Sequence, residues 1–345
     1  MKEKLNIRMD RVTLRQLRGL AAVARAGTVT AAADQLGLTP PAVSMQIRQL
    51  EDTVGMPLAE RTSGGFVLTD AGSEVLGTIH RIESALRECG EVLETLHRKE
   101  GGRVVVGGVS TAKYFLPQAV ASFVESWPGV SVRLQIGNRD EVMAALRSYE
   151  IDLAVTGRPP LDIPIRKAAI GDHPYVVIGP PDHPLAGGGP VSLSALERET
   201  FIMREEGSGT RSVAARLIAE AGFPAQVGTE MSSNESIKQA VMAGLGVAVI
   251  SGHTVATELA SGRLAMLPVR GLPVRRQWFV TSREEKRLLP PAAAFWEFLA
   301  TRGASFLPHV PGLKAKGKTG SKRKPRGDRK PRRTSRDEAE AASDD

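Results

Sequence analysis

Residues 28–69 read TVTAAADQLGLTPPAVSMQIRQLEDTVGMPLAERTSGGFVLT, and this stretch decides the fold of the first part of the chain. An alanine-rich helix spans 30–36, and Gly37, Leu38 and Thr39 supply a turn. A second helix opens on Pro40 and Pro41, where a first-turn proline loses no backbone hydrogen bond. Val43, Ile47, Leu50 and Val54 recur at steps of four, three and four, so one face of this helix is core. Ala42, Ser44, Met45, Gln46 and Arg48, near its start, are read as the opposite face: small, polar or cationic. After Gly55, Gly64 and Gly65 turn a short two-stranded wing whose base carries Arg61, within reach of a phosphate. Two helices across a tight turn, the second with a polar N-terminal face, are the unit that enters a DNA major groove. The expected contacts are Thr28, Thr30, Pro40, Pro41, Ala42, Ser44, Met45, Gln46, Arg48 and Arg61. The same pattern also fits a small helical subdomain with a hairpin and no ligand.

Charge does not decide between these readings. Residues 13–70 hold five cations (Arg15, Arg18, Arg25, Arg48, Arg61) against five acids (Asp34, Glu51, Asp52, Glu60, Asp70). Affinity for a polyanion must then come from placement, with Glu51, Asp52 and Glu60 turned from the groove. Phe66 is the only aromatic in the first 70 residues, so no base-stacking platform exists for single strands or RNA. Duplex DNA is the nucleic acid this segment suits.

The strings AAADQLGLTPPAVSMQIRQLE and GMPLAERTSGGFVLTDAG, with the helix after them, resemble the N-terminus of LysR-type transcriptional regulators. The resemblance implies that Ala42-Val43-Ser44 opens the recognition helix and that Arg61 of the wing touches backbone. Two positions depart from the family pattern: Pro40 stands where a base-contacting glutamine is frequent, and Ala59 where the wing has an aromatic.

Length and composition fit more than one domain. A chain of 345 residues, 41% hydrophobic, can bury sizeable cores. No run approaches the roughly 18 apolar residues of a membrane span. The start MKEKLNIRMDRVTLRQL lacks the apolar stretch of a secretory signal, and the single cysteine, Cys89, excludes an internal disulfide framework, so a cytoplasmic protein is expected. The net charge of +8 is concentrated at one end: residues 314–336 carry twelve Lys or Arg against Asp328, and 337–345 carry five acids. Residues 314–345 thus net +6 and the rest +2. This charged tail, 313–345, has almost nothing with which to build a core; it is a disordered end, or an arm adding salt-sensitive DNA affinity.

A long helix is expected over 71–99, following a head at 12–70. Val75, Ile79, Ile82, Leu86, Cys89, Leu93 and Leu96 follow alternating steps of four and three, a heptad seam suited to a partner helix. An amphipathic helix packed on its own domain is the alternative. Linker helices of LysR-type regulators pair between subunits, which implies a homodimer or homotetramer here.

From Arg103 the pattern changes to short β-rich runs separated by helices near 115–126, 140–149, 211–222, 234–244 and 291–302. That is an α/β body with largely parallel sheets. The resemblance implies a two-lobed, periplasmic-binding-protein-like effector domain over 103–302. Lobe I would take 103–164 and 268–302, lobe II 165–267, with hinges near 164 and 268. The whole is then α/β with an N-terminal all-α winged helix-turn-helix.

Ligands in such folds sit at the carboxyl ends of strands. The candidates are Ser110 and Thr111, with hydroxyls and helix N-terminal amides; Asn138 and Arg139; Thr156 and Arg158; Arg204 with Ser208 and Thr210 in MREEGSGTR; and Ser232 and Asn234, where Ser232 and Glu235 are spaced as a capping box. Several arginines facing one crevice favour a phosphorylated or carboxylated metabolite. The strings STAKYFLPQAVASF, GNRDEV, TGRPP, REEGSGTR and SSNESIKQAVMAGLGVAVIS resemble the subgroup that controls carbon-fixation (RuBisCO) operons. That resemblance implies a phosphorylated sugar or nucleotide-type effector, with RNA polymerase as a further partner.

Two other classes fit parts of the chain. A solute-binding protein explains the body but not residues 13–98. A serine hydrolase would use Ser110 and Lys113 as S-x-x-K, yet the K-T-G copy at 318–320 lies in the charged tail and S-D-N is missing. The six histidines show no paired metal-ligand spacing, so no metal, cofactor or catalytic residue is expected.

Overall fold

Thr13 and Gln16 start the fold by capping each other: the Thr13 side chain accepts from the Gln16 amide, and the Thr13 amide donates to Gln16 Oε1. The computed structural model describes residues 9–62, 65–98 and 101–313. Ser63, Gly64 (the first residue of the expected wing turn), the side chain of Leu96, Lys99 and the charged tail beyond Leu313 lie outside the described residues.

Helix α1 (Leu14–Ala26) is followed by α2 (Val29–Leu36), capped by Thr28, whose hydroxyl accepts from the Ala31 amide. Gly37, at φ 62, takes the left-handed conformation that ends α2 and turns the chain into α3 (Pro40–Val54). Ala32 and Ala33 are fully buried against Val23, Val43 and Ile47, so small side chains bring the two helices of the motif together. Strands β1 (Ala59–Thr62) and β2 (Gly65–Leu68) pair antiparallel, forming the wing. Glu51 joins α3 to the wing, its carboxylate accepting from the amides of Leu58 and Ala59.

Helix α4 (Asp70–Arg98) divides the expected heptad seam in two. Val75 and Ile79 are buried among Leu17, Leu20, Leu50 and Leu58 of the same chain, and Ile82 packs beside them. Beyond that point Leu86 (48% exposed), Cys89 and Leu93 (60% exposed) leave the domain surface. The reason is the length of α1: its apolar face covers only the first turns of α4. Gly72 fixes this docking, since a Cβ there would stand 1.9 Å from the Leu58 carbonyl oxygen.

The body continues with β3 (Arg103–Val109), α5 (Leu116–Ser126), β4 (Ser131–Gly137), α6 (Arg139–Arg147), β5 (Leu153–Thr156) and β6 (Ile165–Gly179). Then come β7 (Thr200–Arg204), α7 (Gly209–Ala221), β8 (Gln226–Met231), α8 (Asn234–Met242), β9 (Ala248–Ser251), α9 (Ala256–Ala260), β10 (Ala265–Leu267), β11 (Val274–Arg283) and α10 (Pro290–Arg302). The sheets are mixed rather than largely parallel. Among the described strands β3–β4, β3–β5 and β7–β8 run parallel, while β11–β5, β11–β6, β6–β9 and β6–β10 are antiparallel.

Two hydrophobic cores define two lobes. Val104, Val106, Phe115, Phe123, Leu153, Trp278 and Phe295 fill the first; Tyr175, Phe201, Val213, Val249 and Leu267 fill the second. Strands β6 and β11 belong to both, β11 pairing with β6 from Ile165 to Tyr175. Ile170 lies in the first core and Tyr175 in the second; Trp278 lies in the first and Val274 packs on the second. The crossover therefore falls within 170–175 and 274–278, inside strands, and not near 164 and 268. The expected boundaries missed it because IRKAAIGDHP alternates charged and small residues around a glycine and a proline, which hides the first half of β6.

Candidate functional site

On the N-terminal head, Pro40 and Pro41 occupy the first turn of α3 and are exposed, as are Thr30, Met45, Arg48 and Arg61. Ala42 and Ser44 are half-buried on the same end of the helix. Thr28 is exposed but engaged as the α2 cap. The Arg61 guanidinium lies 5.4 Å from the Phe66 ring centroid, so the wing's one aromatic holds the cation at its base. Gln46 departs from expectation. It is 7% exposed, its Oε1 has no hydrogen-bond partner, and it packs against Gly19 of α1. Position 46 lies three residues after Val43 and four before Leu50, which places it on the core stripe and not on the opposite face.

In the body, the carboxyl ends of β3 and β5 meet the start of α7 and the crossover strands around one interlobe cleft. Ser110, Thr111, Arg139, Thr156, Arg158, Ser208 and Thr210 line it, as expected, and no acidic side chain does. The cleft also takes Gly209 of the same GSGT turn, and Gly157, His173, Tyr175, Ser212 and Arg276, which the sequence does not single out. Three of these, His173, Tyr175 and Arg276, come from β6 and β11, strands whose shared role was hidden.

Arg139, Arg158 and Arg276 all line this cleft; Arg139 meets its neighbour Asp140 through Nη1 at 3.4 Å, while its Nε is buried without a partner. Ser208, Gly209 and Thr210 open the 13-residue α7, and the Ser208 side chain makes no cap bond, leaving the helix amides to the cleft. Tyr175 is buried; that burial raises its pKa to about 12 although Arg276 and a hydrogen bond with Thr210 oppose the shift, so it stays a neutral phenol. Burial also lowers the pKa of Arg276, but a guanidinium remains charged at neutral pH.

Four expected residues are used otherwise. Asn138 caps α6 in a box with Glu141 and does not line the cleft. Arg204 is 2% exposed and saturated: it donates to both Glu205 oxygens, to Asn234 Oδ1 at 2.7 Å and to Ser110 Oγ at 3.3 Å. It is a strut between lobes, with Asn234 as its anchor. Ser232 is exposed and offers its carbonyl to Arg204; the α8 cap is Ser233, which accepts from the Ser236 amide, one residue later than expected. Ser110 and Thr111 do not open α5 either, because a 3-10 turn at Ala112–Tyr114 intervenes.

Lys113 turns to Glu235, at 3.3 Å, and Ser110 takes its hydrogen bond from Arg204, so the S-x-x-K pair is spent on holding the lobes. Among the described residues, no group of three or more His, Cys, Asp or Glu is placed to hold a metal ion, and no helix is long and apolar enough to cross a membrane.

A winged helix-turn-helix on a long helix, followed by two lobes around a cationic cleft, defines a ligand-responsive DNA-binding regulator. Residues 14–73 match the bacterial regulatory helix-turn-helix protein, lysR family, and residues 97–304 match the LysR substrate binding domain. The chain belongs to the LysR family of transcriptional regulators, proteins that bind DNA and small-molecule effectors and are not enzymes. It is 47% identical over 302 residues to the HTH-type transcriptional regulator CbbR of Xanthobacter flavus, covering 87% of this chain and 91% of that one. It is 46% identical over 293 residues to the RuBisCO operon transcriptional regulator of Allochromatium vinosum, covering 85% and 97%. The structure of the Synechocystis PCC6803 CcmR regulatory domain in complex with 2-PG is similar, at 36% identity and a TM-score of 0.56, covering 57% of this chain and 95% of that one.

Proposed function

We propose that this protein controls carbon-fixation genes, binding operator duplex DNA as a homodimer or homotetramer in the cytoplasm and contacting RNA polymerase there. A phosphorylated or carboxylated metabolite enters the interlobe cleft and sets the lobe angle. The observation that carries this reading is one cleft lined by Arg139, Arg158 and Arg276, by serine and threonine hydroxyls and by the start of α7, with no acidic residue in the lining. Among the described residues, the one acid paired with these arginines is Asp140, 3.4 Å from Arg139. Fixed guanidinium forks and helix amides bind such anions with geometric as well as electrostatic preference. The likeness to CbbR, to the RuBisCO operon regulator and to a domain solved with 2-PG supports the pathway and the anion class.

On the DNA side, Ser44, Met45 and Arg48 reach base edges while Arg61 and the prolines of α3 position the head. The exposed half of the α4 seam, Leu86 to Leu93, pairs with a second copy and so places two heads on two half-sites. Calorimetric titration of 2-PG into the full-length protein and into Arg139→Ala tests the cleft. The parent binds; the variant loses at least about tenfold, the scale of one charge-assisted contact. Unchanged affinity in the variant rejects the cleft as the effector site.

A further inference from the structure

His173 stands on β6 where that strand passes from one lobe core to the other, directly across from Arg276 on β11. Its ring is 1% exposed and stacked on Trp278, centroids 3.9 Å apart and planes 16° from parallel. Trp278 is itself fixed, donating through Nε1 to His253 Nδ1 at 3.1 Å. The imidazole therefore has one orientation. Nε2 lies 3.0 Å from Ser251 Oγ, and that leaves Nδ1, which is buried and has no hydrogen-bond partner.

The ring lines the cleft, and the residue facing Nδ1 is Gly157, another lining residue. A Cβ at position 157 would stand 2.6 Å from Nδ1, so only a glycine leaves this nitrogen uncovered by a side chain. A buried polar atom without a partner is costly, and in native proteins such atoms mark a role or a ligand.

The chemistry of the missing partner follows from the charge state of the ring. Burial, with His253 and Arg276 nearby, holds His173 well below the ordinary histidine value, so it is neutral at physiological pH. A neutral imidazole bonded at Nε2 to a serine presents at Nδ1 either a lone pair or one N–H, according to tautomer. A phosphate or carboxylate oxygen, an acceptor only, is met by the N–H tautomer alone and is better met by the neighbouring guanidinium groups. An alcohol hydroxyl satisfies either tautomer.

We infer that His173 is a specificity-determining contact of the cleft, its Nδ1 hydrogen-bonding an alcohol hydroxyl on the bound anion, so that the protein selects hydroxylated over deoxy phosphorylated or carboxylated metabolites. This rests on the reading of the cleft as the effector site. Arg139, Arg158 and Arg276 hold the anionic ends, and His173 reads what lies between them. A site built to bond a hydroxyl discriminates strongly against the analogue lacking it, because the protein group is then left unpaired.

The test is calorimetric titration of the full-length protein with 3-phosphoglycerate and with 3-phosphopropionate, which lacks the hydroxyl. Two conservative variants separate the ring nitrogens: the amide of His173→Asn falls near Nδ1, and that of His173→Gln near Nε2. The parent and His173→Asn prefer the hydroxylated compound by at least about tenfold. His173→Gln keeps the Ser251 contact and operator binding but loses the preference, binding both compounds within about threefold. A parent that binds both equally, or neither, overturns the inference, as does His173→Gln with the preference intact or His173→Asn without it. Arg276→Ala separates this from the cleft reading: it weakens both compounds alike. If Arg276→Ala binds both as the parent does, the cleft reading itself fails.

Discussion

Tyr114 of the first lobe donates its phenolic hydrogen to Glu235 at the start of α8 in the second, and Lys113 pairs with the same carboxylate at 3.3 Å. Glu235 also meets the buried ammonium of Lys238 at 2.8 Å, and Lys238 lies 5.1 Å from the Tyr114 ring centroid. None of these residues lines the cleft, yet together with the Arg204–Ser110 strut they join its two walls.

Removing this clasp should loosen the lobes without touching the ligand. Tyr114→Phe and Glu235→Gln should bind operator normally and lower effector affinity about fivefold, the bond to a carboxylate being discounted because Glu235 is half exposed. Hydrogen exchange at the start of α8 should quicken in both. Unchanged exchange and affinity would show the lobes held by other contacts. Partial burial raises the Glu235 pKa, but hydrogen bonds from Lys238, Tyr114 and Lys113 outweigh it and leave the value at about 2. A depressed carboxylate stabilises above its ordinary value of 4.5 and loses that contribution as pH falls from there towards 2, so the clasp is intact at neutral pH.

The head separates phosphate contact, base contact and core. Arg61→Ala should weaken binding to every duplex and lower the salt slope by roughly 0.9 unit. Ser44→Ala should narrow the gap between operator and random DNA. Gln46→Met, by contrast, replaces an unsatisfied buried amide and should leave discrimination unchanged while raising stability by about 0–2 kcal/mol. Measured by fluorescence anisotropy and thermal melting, a Gln46→Met protein that loses discrimination would put position 46 back in the groove.

Assembly depends on the far half of α4. Leu86→Glu with Leu93→Glu alters side chains that the single chain leaves exposed, so the variant should fold, yet light scattering should show a smaller species and operator affinity should drop at least about tenfold. A variant of parental mass with parental affinity rejects the seam as an interface.

Acid should weaken the crossover. Burial lowers the His253 pKa to about 4 against an ordinary 6.5, with Asp172 opposing, and His173 is lowered by burial as well. For a base whose folded value is depressed, the unfolded chain binds more protons between the two values. Stability is therefore full above pH 6.5 and is lost as pH falls towards 4. Chemical denaturation at pH 7 and pH 5 should show this loss, reduced in His253→Gln. Equal loss in that variant would place the titrating group elsewhere.

The head was legible because its signals are local: Gly37, the paired prolines and the Val43–Val54 stripe are read within a few turns. The cleft was legible where residues follow parallel strands, as with Ser110, Thr156 and Ser208. It was not where strands serve two lobes. His173 and Arg276 are neighbours only because β11 pairs with β6 from Ile165 to Tyr175, a contact between residues about 100 apart in sequence that no local pattern records. Arg204 reads as a ligand group because its charge is visible in sequence, whereas its bonds to Asn234 and Ser110, 30 and 94 residues away, are recorded only in space.

The most direct test is footprinting on DNA upstream of the adjacent gene, with and without 2-PG and 3-phosphoglycerate, for the parent and for Arg276→Ala. An effector shifts the assembly only through its differential affinity for two lobe states. The parent should protect the operator and change the length of the protected region when the effector is present. Arg276→Ala should protect it equally well and show no change at the same effector concentration. A footprint that responds to the effector in Arg276→Ala as in the parent would contradict an anion-reading cleft that governs the DNA-bound state.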